Sequence, residues 1–407
     1  MRVGVPFFEP SAYPDRIQAT GGDPVPLRLP RARPAGGIAL VREWVADITE
    51  ISCAGEDLDA LLLAAAEPAE LAGLLLAAIR LDLPAVCAGS AGSPLAIAFA
   101  ALGVTPVTED AAEVAVNIAR SGGPRPADLV ENFSLANALR AGLAAGGGPE
   151  LLVHLSAVAR EARSAGFPQT IRVLAPETTA LTTPGSNWLA RHGTAGLLAT
   201  LGDSLHEVPT VAGSLKKTLP DTPPAPEGEG LRLVFIRGRS SGTEAVCRIS
   251  GSASEVSGEC RVFDGEEAAI TAVSRGEVAS SNLLVVRGCG PRGGPGLPVL
   301  RRLADALKGA QVGDMPVLTD GVAPDDAGGA WTSLVSPESA FGGVLGLLRD
   351  GDSLTLDLAE GRILADIAAK ELSGRETVVS VSPAGAGYAA RYARSALPAL
   401  EGAGFGR

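Results

Sequence analysis

This chain is short of several things that whole classes of protein depend on. Its five cysteines, Cys53, Cys87, Cys247, Cys260 and Cys289, are scattered, odd in number and never spaced as a CxxC pair. That argues against a disulfide framework or a zinc site and favours small buried hydrophobes. Basic charge is scarce too: 34 Lys and Arg stand against 46 Asp and Glu, a formal net charge of −12. Nucleic acid needs a basic face, and an anionic membrane surface needs a polybasic segment, so both partners are unexpected. The most apolar run, near Leu61 to Ala65, is too short and too close to Glu67 and Glu70 to span a bilayer. The start, Met1-Arg2-Val3-Gly4-Val5-Pro6, reads as a strand rather than a secretory leader, so a cytoplasmic protein is expected. Aromatics make up only 4%, and with 51 Gly the 46% apolar content overstates the bulky core material. There is no internal repeat and no heptad pattern.

What is present is length enough, 407 residues, for two or three domains with a large core. Pro220-Asp221-Thr222-Pro223-Pro224-Ala225-Pro226-Glu227-Gly228-Glu229-Gly230 is Pro-rich and acidic, as expected of an extended spacer. Before it, Asp57 to Glu67, Ala69 to Arg80, Asn137 to Ala145 and Glu150 to Ala165 read as helices, and Pro84-Ala85-Val86 as a buried strand. After it, Leu231 to Arg237, Glu244 to Ser250, Glu259 to Phe263, Leu283 to Arg287, Met315 to Thr319 and Ser353 to Leu358 read as strands. Helices are expected over Glu266 to Val273 and Pro298 to Leu307. The fold class is therefore α/β: an N-terminal domain with a parallel sheet over 1–215, a linker over 216–230, and a β-barrel-like domain with flanking helices over 231–407.

The densest motif is Val285-Val286-Arg287-Gly288-Cys289-Gly290-Pro291-Arg292-Gly293-Gly294-Pro295-Gly296, where an apolar strand runs into a loop of glycines and prolines. Glycine admits close approach and proline fixes the backbone, so the loop is shaped rather than slack. Three readings stay open: a phosphate cradle, a tight structural crossing, or an interface loop. The Lys-Ser/Thr ending of a P-loop and the spacing of a dinucleotide fingerprint are both missing.

In chain order, Gly290 to Gly296, Leu318-Thr319-Asp320-Gly321, Val335-Ser336-Pro337-Glu338 with Gly342-Gly343, and Asp350-Gly351-Asp352-Ser353-Leu354-Thr355-Leu356-Asp357 resemble the C-terminal half of the dihydroxy-acid and phosphogluconate dehydratase family. Arg261-Val262-Phe263-Asp264 and Gly387-Tyr388-Ala389-Ala390-Arg391-Tyr392-Ala393 are similar to further family segments, as is Leu74 to Ala85 in the first half. The resemblance implies removal of water from a small hydroxy acid, with an iron–sulfur cluster as Lewis acid, Mg²⁺ held by carboxylates and a modified lysine, and a site between the domains of a homodimer.

The chain departs from that pattern where the chemistry would sit. Glu67-Pro68-Ala69 stands where the family has Cys-Asp-Lys, Val299 where it has a glutamate, and Val322-Ala323-Pro324-Asp325 where it has Arg-Phe-Ser-Gly. Gly146-Gly147-Gly148-Pro149-Glu150 replaces its Gly-Gly-Ser-Thr-Asn. The expectation is a divergent, cluster-free, lyase-like enzyme of a specialised biosynthetic pathway, acting on a small hydroxy or amino acid. The alternative is a non-catalytic relative that binds a small carboxylic acid or partners an active enzyme. Candidate catalytic groups are Asp320, Glu67 (as a buried base) and His154. Candidate substrate contacts are Arg292, Gly293, Gly294 and Gly296. Asp325 and Asp326, adjacent in a loop, are the candidate seat for a divalent cation such as Mg²⁺. Against these stand plainer roles: a turn-capping aspartate, a helix-surface glutamate, a packed histidine and solvated loop charge. No resident cofactor is expected.

Overall fold

The computed structural model describes residues 1–30, 36–226, 228, 230–238, 242–251, 253–294, 296–379 and 387–406. Four short parallel strands, β1 (Arg2–Phe7), β2 (Asp23–Arg28), β3 (Ala60–Ala64) and β4 (Ala85–Ala88), form a sheet in the order β2-β1-β3-β4. The Asp57 to Glu67 segment was expected to be helical and is instead strand β3. Its Leu61, Leu62 and Leu63 are all fully buried. A parallel strand covered on both faces reads as an unbroken apolar run, which an alanine-rich helix imitates. Helices Ile38–Cys53, Pro68–Leu81, Asn132–Ala144 and Pro149–Glu161 supply the N-terminal layers.

A small hairpin, β5 (Pro209–Thr210) and β6 (Gly213–Ser214), precedes the Pro-rich segment. The described part of that segment has no helix or strand, yet it is not a free spacer. The Trp188 indole donates to the Pro224 carbonyl at 2.9 Å, and the Thr222 hydroxyl to Ala199 at 3.3 Å, pinning it to helix Asn187–Leu201.

The second half is a closed eight-stranded barrel built from β7 (Arg232–Gly238), β8 (Glu244–Ile249), β9 (Glu255–Asp264), β10 (Asn282–Arg287), β11 (Val317–Thr319), β12 (Trp331–Ser336), β13 (Ser353–Asp357) and β14 (Arg362–Ala365). The order around it is β10-β11-β12-β8-β7-β14-β13-β9. Alternation decides which residue faces which core. Leu283 and Val285 join Ile236, Cys247 and Leu356 inside the barrel. Leu284 and Val286 face outward into an apolar layer with Leu303 and Leu307 of helix Arg301–Gly309. A third set, including Leu233, Val246, Val322 and Leu334, packs into the N-terminal core. The C-terminal segment crosses back as well: Arg160 donates to the Phe405 carbonyl at 2.9 Å and Tyr388 to Asp47 at 2.8 Å. The two halves therefore share one apolar junction. Among the described residues no helix is long and apolar enough to cross a membrane.

Candidate functional site

The glycine loop leaves the end of β10, and Asp320 leaves the end of its neighbour β11. The parallel register that pairs Val286 with Thr319 brings Asp320 alongside the start of the loop. Asp320 is buried, and it accepts from the Gly288 amide (3.2 Å), the Cys289 amide (2.7 Å), the Ser339 amide (3.0 Å) and the Ser339 hydroxyl (2.7 Å). Burial raises its pKa, and those donors pull it partly back. Four bonds engage it, three of them on Oδ2, so the expected catalytic Asp320 serves as a clasp on the loop.

A second carboxylate holds the next part of the loop. Glu338 follows β12, is 7% exposed, and accepts from the Arg292 amide (3.2 and 3.1 Å) and the Gly293 amide (2.9 Å). A Cβ at Gly290 would lie 2.2 Å from Glu338 Oε2, so only glycine admits this approach. Burial pushes the Glu338 carboxyl up to about 7, against those amide donors and helped by the charge of Asp320.

Further along, the Gly296 and Leu297 carbonyls accept from the Ala39 amide (2.9 Å) and the Ile38 amide (3.2 Å) at the N-terminus of helix Ile38–Cys53. These are donors that a helix leaves unpaired at its start. Gly296 has φ +88°, and a Cβ there would meet the Leu40 Cβ at 2.2 Å. A Cβ at Gly294 would meet the Cys289 Cα at 2.7 Å. Of the three readings of the loop, crossing and interface describe the molecule. The phosphate cradle does not, because the amides of Gly288, Cys289, Arg292 and Gly293 are already given to Asp320 and Glu338. The expected substrate contacts Gly293, Gly294 and Gly296 are therefore packing and docking positions.

Beside the loop lies a cavity of about 300 Å³ walled by Pro291, Val335, Pro337, Phe341 and Pro398, with Glu338 and Arg292 as its charged groups. The Arg292 guanidinium sits 3.5 Å over the Phe341 ring, and its Nε donates to the Ala396 carbonyl at 2.7 Å. Stacking and one backbone bond fix the plane and leave the other nitrogens to grip an oxyanion. Of the expected substrate contacts, Arg292 alone lines a cavity in this way.

Residues 221–403 match the model of the dihydroxy-acid/6-phosphogluconate dehydratase C-terminal domain. The chain is also 29% identical to dihydroxy-acid dehydratase 2 of Bordetella bronchiseptica, over 89% of this chain and 80% of that protein. Its second half belongs to this dehydratase family. A dihydroxy-acid dehydratase of Pelobacter propionicus is 31% identical over 68% of this chain, and one of Methylococcus capsulatus 31% over 69%. The matched part of this chain spans 55% of the length of each of those two relatives.

At the junction of its halves, the chain separates the two carboxylates expected to share a cation. Asp326 is exposed and ion-paired with Arg301. Asp325 turns inward, and its Oδ1 is sealed from solvent next to the Gly148 amide, which is not in good hydrogen-bond geometry. Burial, then the nearby charge of Glu150, pushes Asp325 up to about 7. The Arg248 guanidinium beside it pulls that value partly back and donates to the backbone carbonyls of Ala327, at 2.7 Å, and of Asp325. A Cβ at Gly148 would lie 2.5 Å from Asp325 Oδ1, so the glycine makes room for the carboxyl.

The remaining expected groups fall elsewhere. Glu67 is exposed as the N-cap of helix Pro68–Leu81, not a buried base, and its side chain makes no capping bond. His154 is fully buried in helix Pro149–Glu161, its Nε2 3.3 Å from Glu150 and its Nδ1 3.5 Å from Arg42. Burial lowers its pKa, so it is a neutral packing histidine.

The cysteines are all free and buried. Cys53 and Cys87 lie in the N-terminal core, Cys247 and Cys260 inside the barrel, and Cys289 in the layer under the barrel helices. Burial holds every thiol above its usual range, at about 11 for Cys53 and Cys247 and about 12 for Cys260. A cluster needs three or four thiolates converging on one point. Among the described residues no three His, Cys, Asp or Glu side chains are grouped to hold a metal. The donor set present does not fit an iron–sulfur cluster. Glu338, Ser339 and Phe341 had no role assigned from sequence, although Val335-Ser336-Pro337-Glu338 was among the family-like motifs. The signal was a glutamate just downstream of a strand, but its partner amides lie in a distant loop.

Proposed function

We propose that this chain is a cluster-free, lyase-like member of the dehydratase family that binds a small hydroxy or amino acid in the cavity beside the glycine loop. The observation that carries the reading is Glu338, a buried carboxyl held at about 7, lining the same cavity as the Arg292 guanidinium. Arginine supplies the charge and paired donors for a substrate carboxylate. A carboxyl poised near neutrality takes the proton from the carbon beside that carboxylate and returns it to the departing hydroxide. The balance is one C–H and one C–O bond broken, one C=C bond formed and one water released, giving an enol that becomes the keto acid. The scattered, protonated thiols support the cluster-free part. The separation of Asp325 from Asp326 leaves a divalent cation such as Mg²⁺ no two-carboxylate seat there.

One observation favours a second reading, a non-catalytic relative that binds the acid without turning it over. The loop amides that would stabilise a developing oxyanion are already spent on Asp320 and Glu338. Purified protein titrated with glycerate and serine separates the two by thermal shift and keto-acid release, with lactate, which has no β-hydroxyl to lose, as the binding-only control. Turnover that falls about a hundredfold in Glu338→Gln with binding retained supports the enzyme. Binding with no turnover between about pH 6 and 8 assigns the second reading. A brown protein with stoichiometric iron would overturn the cluster-free claim. The reading takes the working unit as a homodimer in the cytoplasm, and sedimentation of the pure chain checks the first part.

A further inference from the structure

We propose that a second binding pocket, for a small organic oxyanion, lies at the corner between helices Pro149–Glu161 and Phe167–Glu177, independent of the cavity beside the glycine loop. The corner is made by Arg163, whose φ of +62° is the left-handed conformation that a side chain other than glycine disfavours. Around it is a cavity of about 420 Å³ lined by three arginines, Arg160, Arg163 and Arg172.

These cations are not equally engaged. Arg172 is satisfied, with Nε and Nη2 each 2.7 Å from a Glu244 oxygen and Nη1 2.8 Å from the Pro168 carbonyl. Arg160 donates at 2.9 Å to the Phe405 carbonyl and has no carboxylate partner among the described residues. The Arg163 amide donates to the Arg160 carbonyl at 3.0 Å, but the Arg163 guanidinium has neither a hydrogen bond nor an ion pair among the described residues. Arg163 therefore brings unspent charge to the cavity, while Arg160 is shared with the neighbouring acidic pocket, and Glu401 is the single acidic side chain among the residues lining this one.

A second observation points to a ligand. Ser156 lines the same cavity, is 5% exposed, and its hydroxyl is buried without a partner. A buried hydroxyl left unpaired costs free energy that a ligand oxygen would recover. The 11-residue helix that starts at Phe167 opens onto the cavity, adding the positive end of its dipole. The rest of the wall is apolar, with Phe167 1% and Leu400 8% exposed. Weak solvation there strengthens charged contacts and suits an anion that carries an apolar body. The chemistry required is an oxyanion, either a phosphate ester or a carboxylate.

The test is calorimetric titration of the full chain with inorganic phosphate and, separately, with benzoate. Saturable binding of phosphate names a phosphate ester as the ligand class, and saturable binding of benzoate names a carboxylate. Arg163→Gly removes the guanidinium while relieving the left-handed strain, so the unliganded melting temperature holds or rises as affinity falls about tenfold or more. Ser156→Ala is a second variant that leaves the surface charge intact and is expected to weaken binding about threefold to tenfold. Glu338→Gln leaves affinity here unchanged, which separates this pocket from the first. Failure of both anions to saturate, or affinity that survives both Arg163→Gly and Ser156→Ala, overturns the assignment.

Discussion

Asp320 and Asp325 stand on the same loop after β11, and burial raises the pKa of both, yet their surroundings are opposite. Asp320 is met by the Gly288, Cys289 and Ser339 amides and by a hydroxyl. Asp325 keeps a sealed oxygen that meets the Gly148 amide outside good hydrogen-bond geometry. At the glycine loop the cost of burying a carboxyl is offset by donors, and the carboxyl in turn fixes the loop. At the domain junction the cost is left standing. The contrast teaches that burial alone does not tell a clasp from a poised group; the count of donors does.

The most severe way to break this comparison is Asp320→Ala. It strands the buried Cys289 and Ser339 amides and the Ser339 hydroxyl, while Gly288 keeps its bond to that hydroxyl, so urea unfolding should show a loss of about 3–5 kcal/mol. A loss below about 1 kcal/mol would mean that the loop is held by something else. Asp325→Asn should act in the other direction. The unfolded carboxyl titrates near about 4 and the folded one at about 7. Between those values the folded state holds a proton that the unfolded state has lost, so stability falls as pH rises from about 4 to 7 and is level above. Asparagine removes that contribution and should gain on the order of 2 kcal/mol at about pH 8. Glu338, also at about 7, imposes a slope of the same sign, so the Asp325→Asn variant keeps part of the pH dependence until Glu338→Gln is added. The smallest effect is expected from Phe341→Leu. Loss of the stack under Arg292 should cost about 0.5–1 kcal/mol, read as a several-fold weaker hold on the small acid.

Parts of the barrel were legible as alternation, openly in Ser353 to Leu358, and others, such as Leu283 to Arg287, as a short apolar run ending at a glycine. Two barrel strands were not legible. Trp331–Ser336 is buried almost throughout although it carries the polar Thr332 and Ser333, and Arg362–Ala365 is too short to show a period. Strand β3 was mistaken for a helix because its burial on both faces comes from layers that no local window contains. The site was less legible than the fold. Gly290, Gly293 and Glu338 each stood in motifs that were noticed, but the carboxylate and its amides are about 45 residues apart in the chain. His154 and Glu67 were singled out by sequence context alone, and burial in one case and exposure in the other decide their roles.

One outer strand of the N-terminal sheet has a consequence for assembly. In β2, Asp23 donates inward to Met1 and, just past the strand, Leu29 donates to Phe7, so the alternate positions, 24, 26 and 28, turn their backbone groups outward. Pro24 and Pro26 hold two of those three positions. That rim keeps an outward N–H at Arg28 but none at the other two, which works against another polypeptide zipping onto it as a fifth strand. With the barrel sealed on itself, copies of this chain that come together gain little from backbone pairing along this rim or around the barrel.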